Sequence, residues 1–344
     1  MSNVHIRPER LADSFGRVAT DLRVSLTDRC SLRCSYCMPP EGLPWLPREE
    51  MLTDDEMVRL VRIAVELGVT EVRLTGGEPL LRPTVADLVA RLAKIHPRPR
   101  LSLTTNGLLL ARYAQTLAEA GLDRVNVSLD TLDRDRFRQI TFRDRHADVL
   151  AGLEAATRAG LTPVKVNTVL LRDVNNDEAV PLVGWALAHG YELRFIEQMP
   201  LDPQHGWDRS RMVTADETYE AVSSVYTLEP EPDRGSAPAE TWSVLDGPDR
   251  EHWARRPGRV GIIASVTRPF CGDCDRVRLT ADGQVRNCLF AREESDLRSA
   301  LRAGASDDEL AARFVTAMAG KRAGHGIDDP NFLQPSRPMS AIGG

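Results

Sequence analysis

Six cysteines occur in the 344 residues, in two triplets: Cys30, Cys34 and Cys37 near the start, and Cys271, Cys274 and Cys288 near the end. Thiolates are metal ligands and nucleophiles, so this spacing is the first place to look for chemistry. Scattered buried thiols, the ordinary fate of cysteine in a reducing compartment, would not sort into two groups of three with no remainder. A disulfide framework belongs to oxidising compartments and much smaller chains. A structural zinc site closes four Cys or His ligands around its metal, so each triplet is one ligand short unless the two pool or His5 or His325 completes one. Three thiolates with a vacancy better describe a [4Fe–4S] cluster with three irons on cysteine and the fourth open to a small molecule, since fully ligated clusters take four cysteines. An open iron acts as a Lewis acid and can pass an electron to whatever it binds.

The elements that must position these cysteines alternate. Strand signals fall at Leu22–Thr27, Glu71–Thr75, Leu101–Thr105, Arg124–Leu129, Pro163–Leu170 and Glu192–Ile196, separated by amphipathic helical stretches. Thr53 and Glu56 form a capping box, and Gly68, Gly121, Gly160 and Gly190 stand where helices end. Six strand–helix alternations imply parallel strands with crossover helices: an α/β fold of the TIM type, an incomplete (βα)6 barrel, with a doubly wound sheet as the alternative. The unusual residues follow the strands. The first triplet comes after strand one, Thr75-Gly76-Gly77-Glu78-Pro79 closes strand two, Thr104 to Gly107 closes strand three, Ser128-Leu129-Asp130 closes strand four, Lys165 and Asn167 lie in strand five, and Glu197-Gln198-Met199 closes strand six. Carboxyl ends of parallel strands share one face, where ligands bind.

Composition excludes other classes. Hydrophobic residues make up 42% and charged residues 27%, as in a folded soluble chain. A net charge of −6 lacks the basic excess of a dedicated nucleic-acid binder. The longest apolar run, Ala179 to Ala188, contains Pro181 and Gly184 and is too short to span a bilayer. No apolar secretory segment opens the chain, which predicts a cytoplasmic protein with reduced thiols. From about Pro200 to Gly258 Pro, Asp and Trp become frequent, and Glu229–Ala239 reads as a loop. Beyond it, Arg276–Thr280 and Gln284–Asn287 read as a hairpin around Asp282-Gly283 that returns Cys288 to Cys274. Helices at Glu294–Ala303 and Asp307–Ala319 precede a tail, PMSAIGG, that composition alone makes frayed. The division predicted is 1–20 as an N-terminal extension, 21–200 as the barrel, 201–258 as a connecting segment and 259–344 as the region of the second triplet.

Cys30-Ser-Leu-Arg-Cys34-Ser-Tyr36-Cys37 resembles the CxxxCxxC signature of radical S-adenosylmethionine (SAM) enzymes, and Gly76-Gly77-Glu78-Pro79 strengthens the likeness. The second CxxC, its third cysteine after thirteen residues, the CDRVRLT string and the terminal Gly343-Gly344 look like the GTP 3′,8-cyclase family of molybdenum cofactor biosynthesis, from about Arg10 to Gly344. The resemblance implies a radical SAM barrel whose C-terminal extension carries a second cluster. The cluster on Cys30, Cys34 and Cys37 would chelate SAM and cleave it to a 5′-deoxyadenosyl radical. That radical would take the 3′-hydrogen of GTP, and the ribose radical would attack guanine C8. The cluster on Cys271, Cys274 and Cys288 would bind the guanine.

The resemblance assigns SAM contacts to Tyr36, Gly77, Ser128 and Met199, which singly also read as a packing aromatic, a turn glycine, a strand-end cap and core filler. It assigns GTP contacts to Arg23, Arg73, Thr104, Lys165, Arg276, Val277 and Arg278. Arg23, Arg73 and Lys165 interrupt apolar strands (LRVSL, EVRLT, VKVNTVL), where an unpaired charge is costly and a triphosphate is a fitting partner. No side-chain acid–base pair stands out as catalytic; Arg276, Arg278, Gly343 and Gly344 are the candidates nearest the chemistry, the last two because the family's tail reaches into the active site. The resemblance also implies an electron donor of the flavodoxin or ferredoxin kind, a homodimer, and transient contact with the next pathway enzyme, cyclic pyranopterin monophosphate synthase. Neither nucleic acid nor membrane is expected as a partner. The competing readings are another radical SAM enzyme with an auxiliary cluster, such as a peptide or sulfatase maturase, and a non-catalytic iron–sulfur or zinc protein.

Overall fold

Alternation of outward apolar and inward polar residues gives each strand two distinct faces. In β1 (Asp21–Ser25) Leu22 and Val24 face the apolar core while Arg23 lines a central cavity, and in β2 (Glu71–Thr75) Val72 and Leu74 pair with inward Arg73 and Thr75 in the same way. The computed structural model describes residues 10–343; His5 and Gly344 lie outside the described residues. With β3 (Arg100–Thr105), β4 (Arg124–Ser128), β5 (Lys165–Val169) and β6 (Glu192–Ile196), all six predicted barrel strands are present to within two residues at each end.

These six pair in parallel and in chain order. Two more parallel strands extend the array: β9 (Gly258–Ile263) beside β6, and β10 (Arg276–Leu279) beside β1. Antiparallel strands flank these on either side, β7 (Thr227–Pro230) and β8 (Glu240–Asp246) beyond β9, and β11 (Gln284–Arg286) and β12 (Ser295–Asp296) beyond β10. The order is β12-β11-β10-β1-β2-β3-β4-β5-β6-β9-β8-β7, and among the described residues no ladder joins its ends. The architecture is thus the expected incomplete TIM-type barrel, continued at both edges by the C-terminal third of the chain.

Helices cover the outer face. The one at Asp54–Glu66 begins with the predicted capping box, Thr53 accepting from Glu56 N–H and Glu56 from Thr53 N–H, and buries Met57, Leu60, Val61 and Ile63. Loss of one such leucine to alanine costs about 2–5 kcal/mol.

Three local expectations are corrected. Glu294–Ala303 is not one helix: β12 occupies 295–296, Asp296 accepts from Gln284 at 3.2 Å, and the helix runs only over Arg298–Arg302. Glu229–Ala239 is partly strand, since β7 includes Glu229 and Pro230. The tail is not frayed. Met339–Ile342 forms a helical turn, Ile342 is 1% exposed, and Arg337 holds Asp282 with two bonds of 2.9 and 2.8 Å. Composition missed this because the tail's partners lie in the hairpin turn, 55 residues upstream.

Candidate active site

All six cysteines are free, half-buried, and open onto one cavity of about 320 Å3 at the carboxyl end of the strands. In neither triplet do the three sulfur atoms converge within 4.8 Å, as Asp249, Glu251 and His252 do on the surface. A single zinc at about 2.3 Å from each sulfur needs closer convergence, whereas a multi-iron cluster does not. His325 completes neither triplet. Its Nε2 faces the Ser265 carbonyl at 3.2 Å and its Nδ1 accepts from Ile327 N–H at 3.1 Å, which assigns the neutral tautomer and occupies both nitrogens. The donor set, three sulfurs and a gap facing a cavity, fits an open-iron cluster in each half.

The loop bearing the first triplet is clamped by the Gly-Gly-Glu-Pro run. Gly77 N–H donates to Thr27 O and Glu78 N–H to Arg29 O, both at 2.7 Å. A Cβ on Gly77 would sit 2.3 Å from Arg29 O, so only glycine permits this approach. The Glu78 carboxylate is fully buried and accepts from Thr105 Oγ1 (2.7 Å), Asn106 N–H (2.7 Å) and Leu80 N–H (3.0 Å). Burial pushes it up to about 7 despite those bonds. Asn106 in turn donates to Ser31 Oγ at 3.0 Å and reaches Cys30 Sγ at 3.7 Å. Strands two and three therefore fix where the first cysteine stands. Burial also raises the Cys34 thiol well above its ordinary value and Cys37 to about 12.

Of the residues predicted for SAM, Tyr36, Gly77, Ser128 and Met199 all line the cavity. The Tyr36 hydroxyl donates to Asp130 Oδ2 at 2.8 Å, and the other Asp130 oxygen accepts from Val169 N–H at 2.9 Å. Burial pushes Asp130 up to about 6.

Arginines crowd the floor. Strand register places Arg23 between Arg278 and Arg73, with Arg276 beside Asp21. The carboxylates near them stand off: Asp21 is 3.9 Å from Arg23 and 3.7 Å from Arg73, and Asp275 is 3.8 Å from Arg276, too far for hydrogen bonds. Burial, followed by repulsion from neighbouring arginines, depresses Arg23 strongly, and takes Arg278 to about 10 and Arg194 to about 9. Among the described residues, Nε of Arg23 and of Arg194 has no hydrogen-bond partner. Such a surplus of buried donors demands an anion.

The other predicted GTP contacts divide. Thr104 lines the cavity and accepts from Asn126 Nδ2 at 3.2 Å. Lys165 does not line it; its ammonium pairs with Glu192 at 2.9 Å in an adjoining polar cleft. Val277 is buried in the core on the opposite face of β10 from Arg276 and Arg278 and does not line the cavity. Arg194 was missed, although it interrupts ELRFI as Arg73 interrupts EVRLT. It reaches past β5 to donate to Asn126 Oδ1 on β4 at 3.0 Å, and beside it on β9 a Cβ at Gly261 would come within 3.2 Å of its Cγ.

The second triplet is held from behind. Arg17 donates to Cys271 O at 2.6 Å and to Arg322 O and Ala323 O at 2.6 and 2.9 Å, while Lys321 Nζ reaches Cys274 Sγ at 3.3 Å. Burial raises the Cys274 thiol, but Arg276 and Lys321 outweigh it and leave it below its ordinary value. Gly343 lies against β1 and β2 with φ of +85°, and its carbonyl accepts from Arg278.

Residues 24–186 match the radical SAM superfamily and residues 191–327 match Molybdenum Cofactor Synthesis C. Among solved structures, Streptococcus suis SuiB bound to precursor peptide SuiA superposes with a TM-score of 0.57 at 13% identity, over 88% of this chain and 67% of that one, a likeness of fold alone. Fold and cysteine loop thus define a radical SAM protein. The GTP 3′,8-cyclase of Streptomyces coelicolor is 63% identical over 97% of this chain and 96% of its own, and GTP 3′,8-cyclase 2 of Mycobacterium tuberculosis H37Rv is 59% identical over 97% and 92%. The chain belongs to the GTP 3′,8-cyclase family.

Proposed function

We propose that the chain is a lyase converting GTP to (8S)-3′,8-cyclo-7,8-dihydroguanosine 5′-triphosphate, the first step of molybdenum cofactor biosynthesis. The observation that carries this is that both cysteine triplets open onto one cavity floored by arginines with, among the described residues, no carboxylate within hydrogen-bond distance. The cofactors are SAM and two [4Fe–4S] clusters, which when bound supply one-electron cleavage of SAM and removal of the GTP 3′-hydrogen.

The chain's own residues then position and shield. Cys30, Cys34 and Cys37 hold the cluster that meets SAM, with Tyr36, Gly77, Ser128 and Met199 around it. Cys271, Cys274 and Cys288 hold the cluster that meets guanine. Arg23, Arg73, Arg276 and Arg278 take the triphosphate with Thr104 and the Val277 backbone, and Lys165 joins them by releasing Glu192. Gly343 closes the site and helps exclude water, a role the family resemblance extends to Gly344. In this reading 21–200 is the SAM half, 259–344 the substrate-cluster half, and 1–20 and 201–258 extend and connect them.

Among the described residues no helix is long and apolar enough to cross a membrane. It is the family resemblance that supports a cytoplasmic homodimer, reduced by a flavodoxin- or ferredoxin-like donor, that passes its product to cyclic pyranopterin monophosphate synthase.

The test is anaerobic. Reconstituted protein with SAM, dithionite and GTP should yield 5′-deoxyadenosine and a nucleotide of unchanged mass but altered chromatography. 5′-Deoxyadenosine with GTP unaltered would overturn the substrate, and neither product from iron-loaded protein would overturn the enzyme.

A further inference from the structure

Only three of the 44 basic residues are lysines: Lys94, Lys165 and Lys321. Lys94 is exposed and Lys165 is paired with Glu192, but Lys321 is 3% exposed and, among the described residues, pairs with no carboxylate. Its ammonium meets three acceptors, Cys274 O at 2.8 Å, Arg276 O at 2.9 Å and Cys274 Sγ at 3.3 Å. An ammonium has three protons, so each has one acceptor, and no water is needed to satisfy the group. A planar guanidinium fork cannot converge on one point in this way. Two neutral carbonyls do not compensate a buried charge; a thiolate at Cys274 does.

We propose that Lys321 is a positioning residue for the second triplet: its ammonium fixes the Cys274 side chain and, through an N–H···S bond, raises the reduction potential of the group that triplet holds. This rests on the reading of Cys271, Cys274 and Cys288 as ligands of an iron–sulfur cluster. Reduction adds negative charge, and a cation donating to a ligand sulfur stabilises the reduced state more than the oxidised one. The same ammonium ties Cys274 to the Arg276 carbonyl at the start of β10, so cluster and triphosphate floor are set by one contact. Arg17 does the matching work on the other cysteine of the CxxC, bonding Cys271 O and the carbonyls that follow Lys321. Arg17 bonds the Cys271 carbonyl and not its sulfur, so it serves as the comparison for a cation without an N–H···S bond.

The test uses the full chain with Cys30, Cys34 and Cys37 replaced by alanine, so that only the second triplet can load iron. Lys321→Met should bind as much iron as its parent, with a midpoint lowered by at least tenfold in the reduction equilibrium, about 59 mV for one electron. Arg17→Met, which removes a cation without removing an N–H···S bond, should lower the midpoint by less than Lys321→Met does, and an equal or larger drop would overturn the assignment of the effect to the Lys321 bond. An iron-loaded Lys321→Met with the parent's midpoint would overturn the proposal. Should that variant fail to fold, Lys321→Gln, a neutral donor, should show a smaller shift of the same sign, and no shift overturns equally. Independently of any change at 321, nitrogen-15 lysine in the reduced parent should give a nitrogen coupling in pulsed EPR, and its absence would also sink the assignment. A parent that binds no iron would remove the cluster reading itself, a result distinct from a cluster whose potential ignores Lys321.

Discussion

The Arg278 guanidinium, on β10 of the barrel, donates to the carbonyl of Gly343, 65 residues further along the chain. The tail is thereby part of the cavity wall. A Cβ at 343 would stand 2.6 Å from Thr75 Oγ1 and 3.2 Å from Ser25 Cβ, on a backbone whose φ of +85° already disfavours side chains. Gly343→Ala should therefore cost about 1–3 kcal/mol locally and release the tail. Hydrogen exchange at 339–343 should quicken at least tenfold while the amides of β1 and β2 keep their rates; unchanged exchange would mean the tail stays seated.

Cys271→Ala separates the halves of the site. The clamp on the first triplet, built from Gly77, Glu78, Thr105 and Asn106, touches nothing in the second. The variant should retain most of its SAM cleavage and lose cyclised product. Equal product from variant and parent, measured by mass spectrometry, would remove the second triplet from the substrate.

Arg73→Ala and Arg194→Ala should weaken GTP binding about 10–100-fold, as expected for losing one charge-assisted contact of 1.5–3 kcal/mol, and leave SAM binding nearly unchanged. Lys165→Ala should act in the same direction by a smaller factor, because its ammonium is already compensated by Glu192. Calorimetry that shows both ligands equally weakened would place these side chains outside the triphosphate site.

Glu78 gives a pH signature. Its pKa is raised from 4.5 to about 7, chiefly by burial. For an acid with a raised folded value, the unfolded chain releases its proton first. The stabilising contribution is then full below about 4.5 and declines as pH rises through about 7. Glu78→Gln abolishes that slope and leaves Asn106 N–H facing an amide, a cost of about 1–3 kcal/mol. In urea unfolding the stability advantage of parent over variant should be larger at pH 5 than at pH 8. An advantage equal at both would show that Glu78 does not titrate in this range.

The sequence by itself determined the six parallel strands, their inward polar residues and the grouping of cysteines. These depend on local periodicity and on spacing within a loop, both written in consecutive residues. Arg23 and Arg73 were legible because a charge inside an apolar strand is a local anomaly, and Arg194 was equally legible by the same rule. Tertiary structure alone decided that β9 and β10 extend the barrel, that Lys165 is paired with Glu192 instead of lining the cavity, and that Val277 faces the core. It also decided that the tail is buried and that Lys321 meets Cys274. Each of these depends on contacts across tens to hundreds of residues, formed by strand register and by a carbonyl or sulfur brought close in space. No property of Lys321 or Gly343 taken in its own stretch of chain distinguishes it from a surface charge or a loose end; only the partner across the fold does.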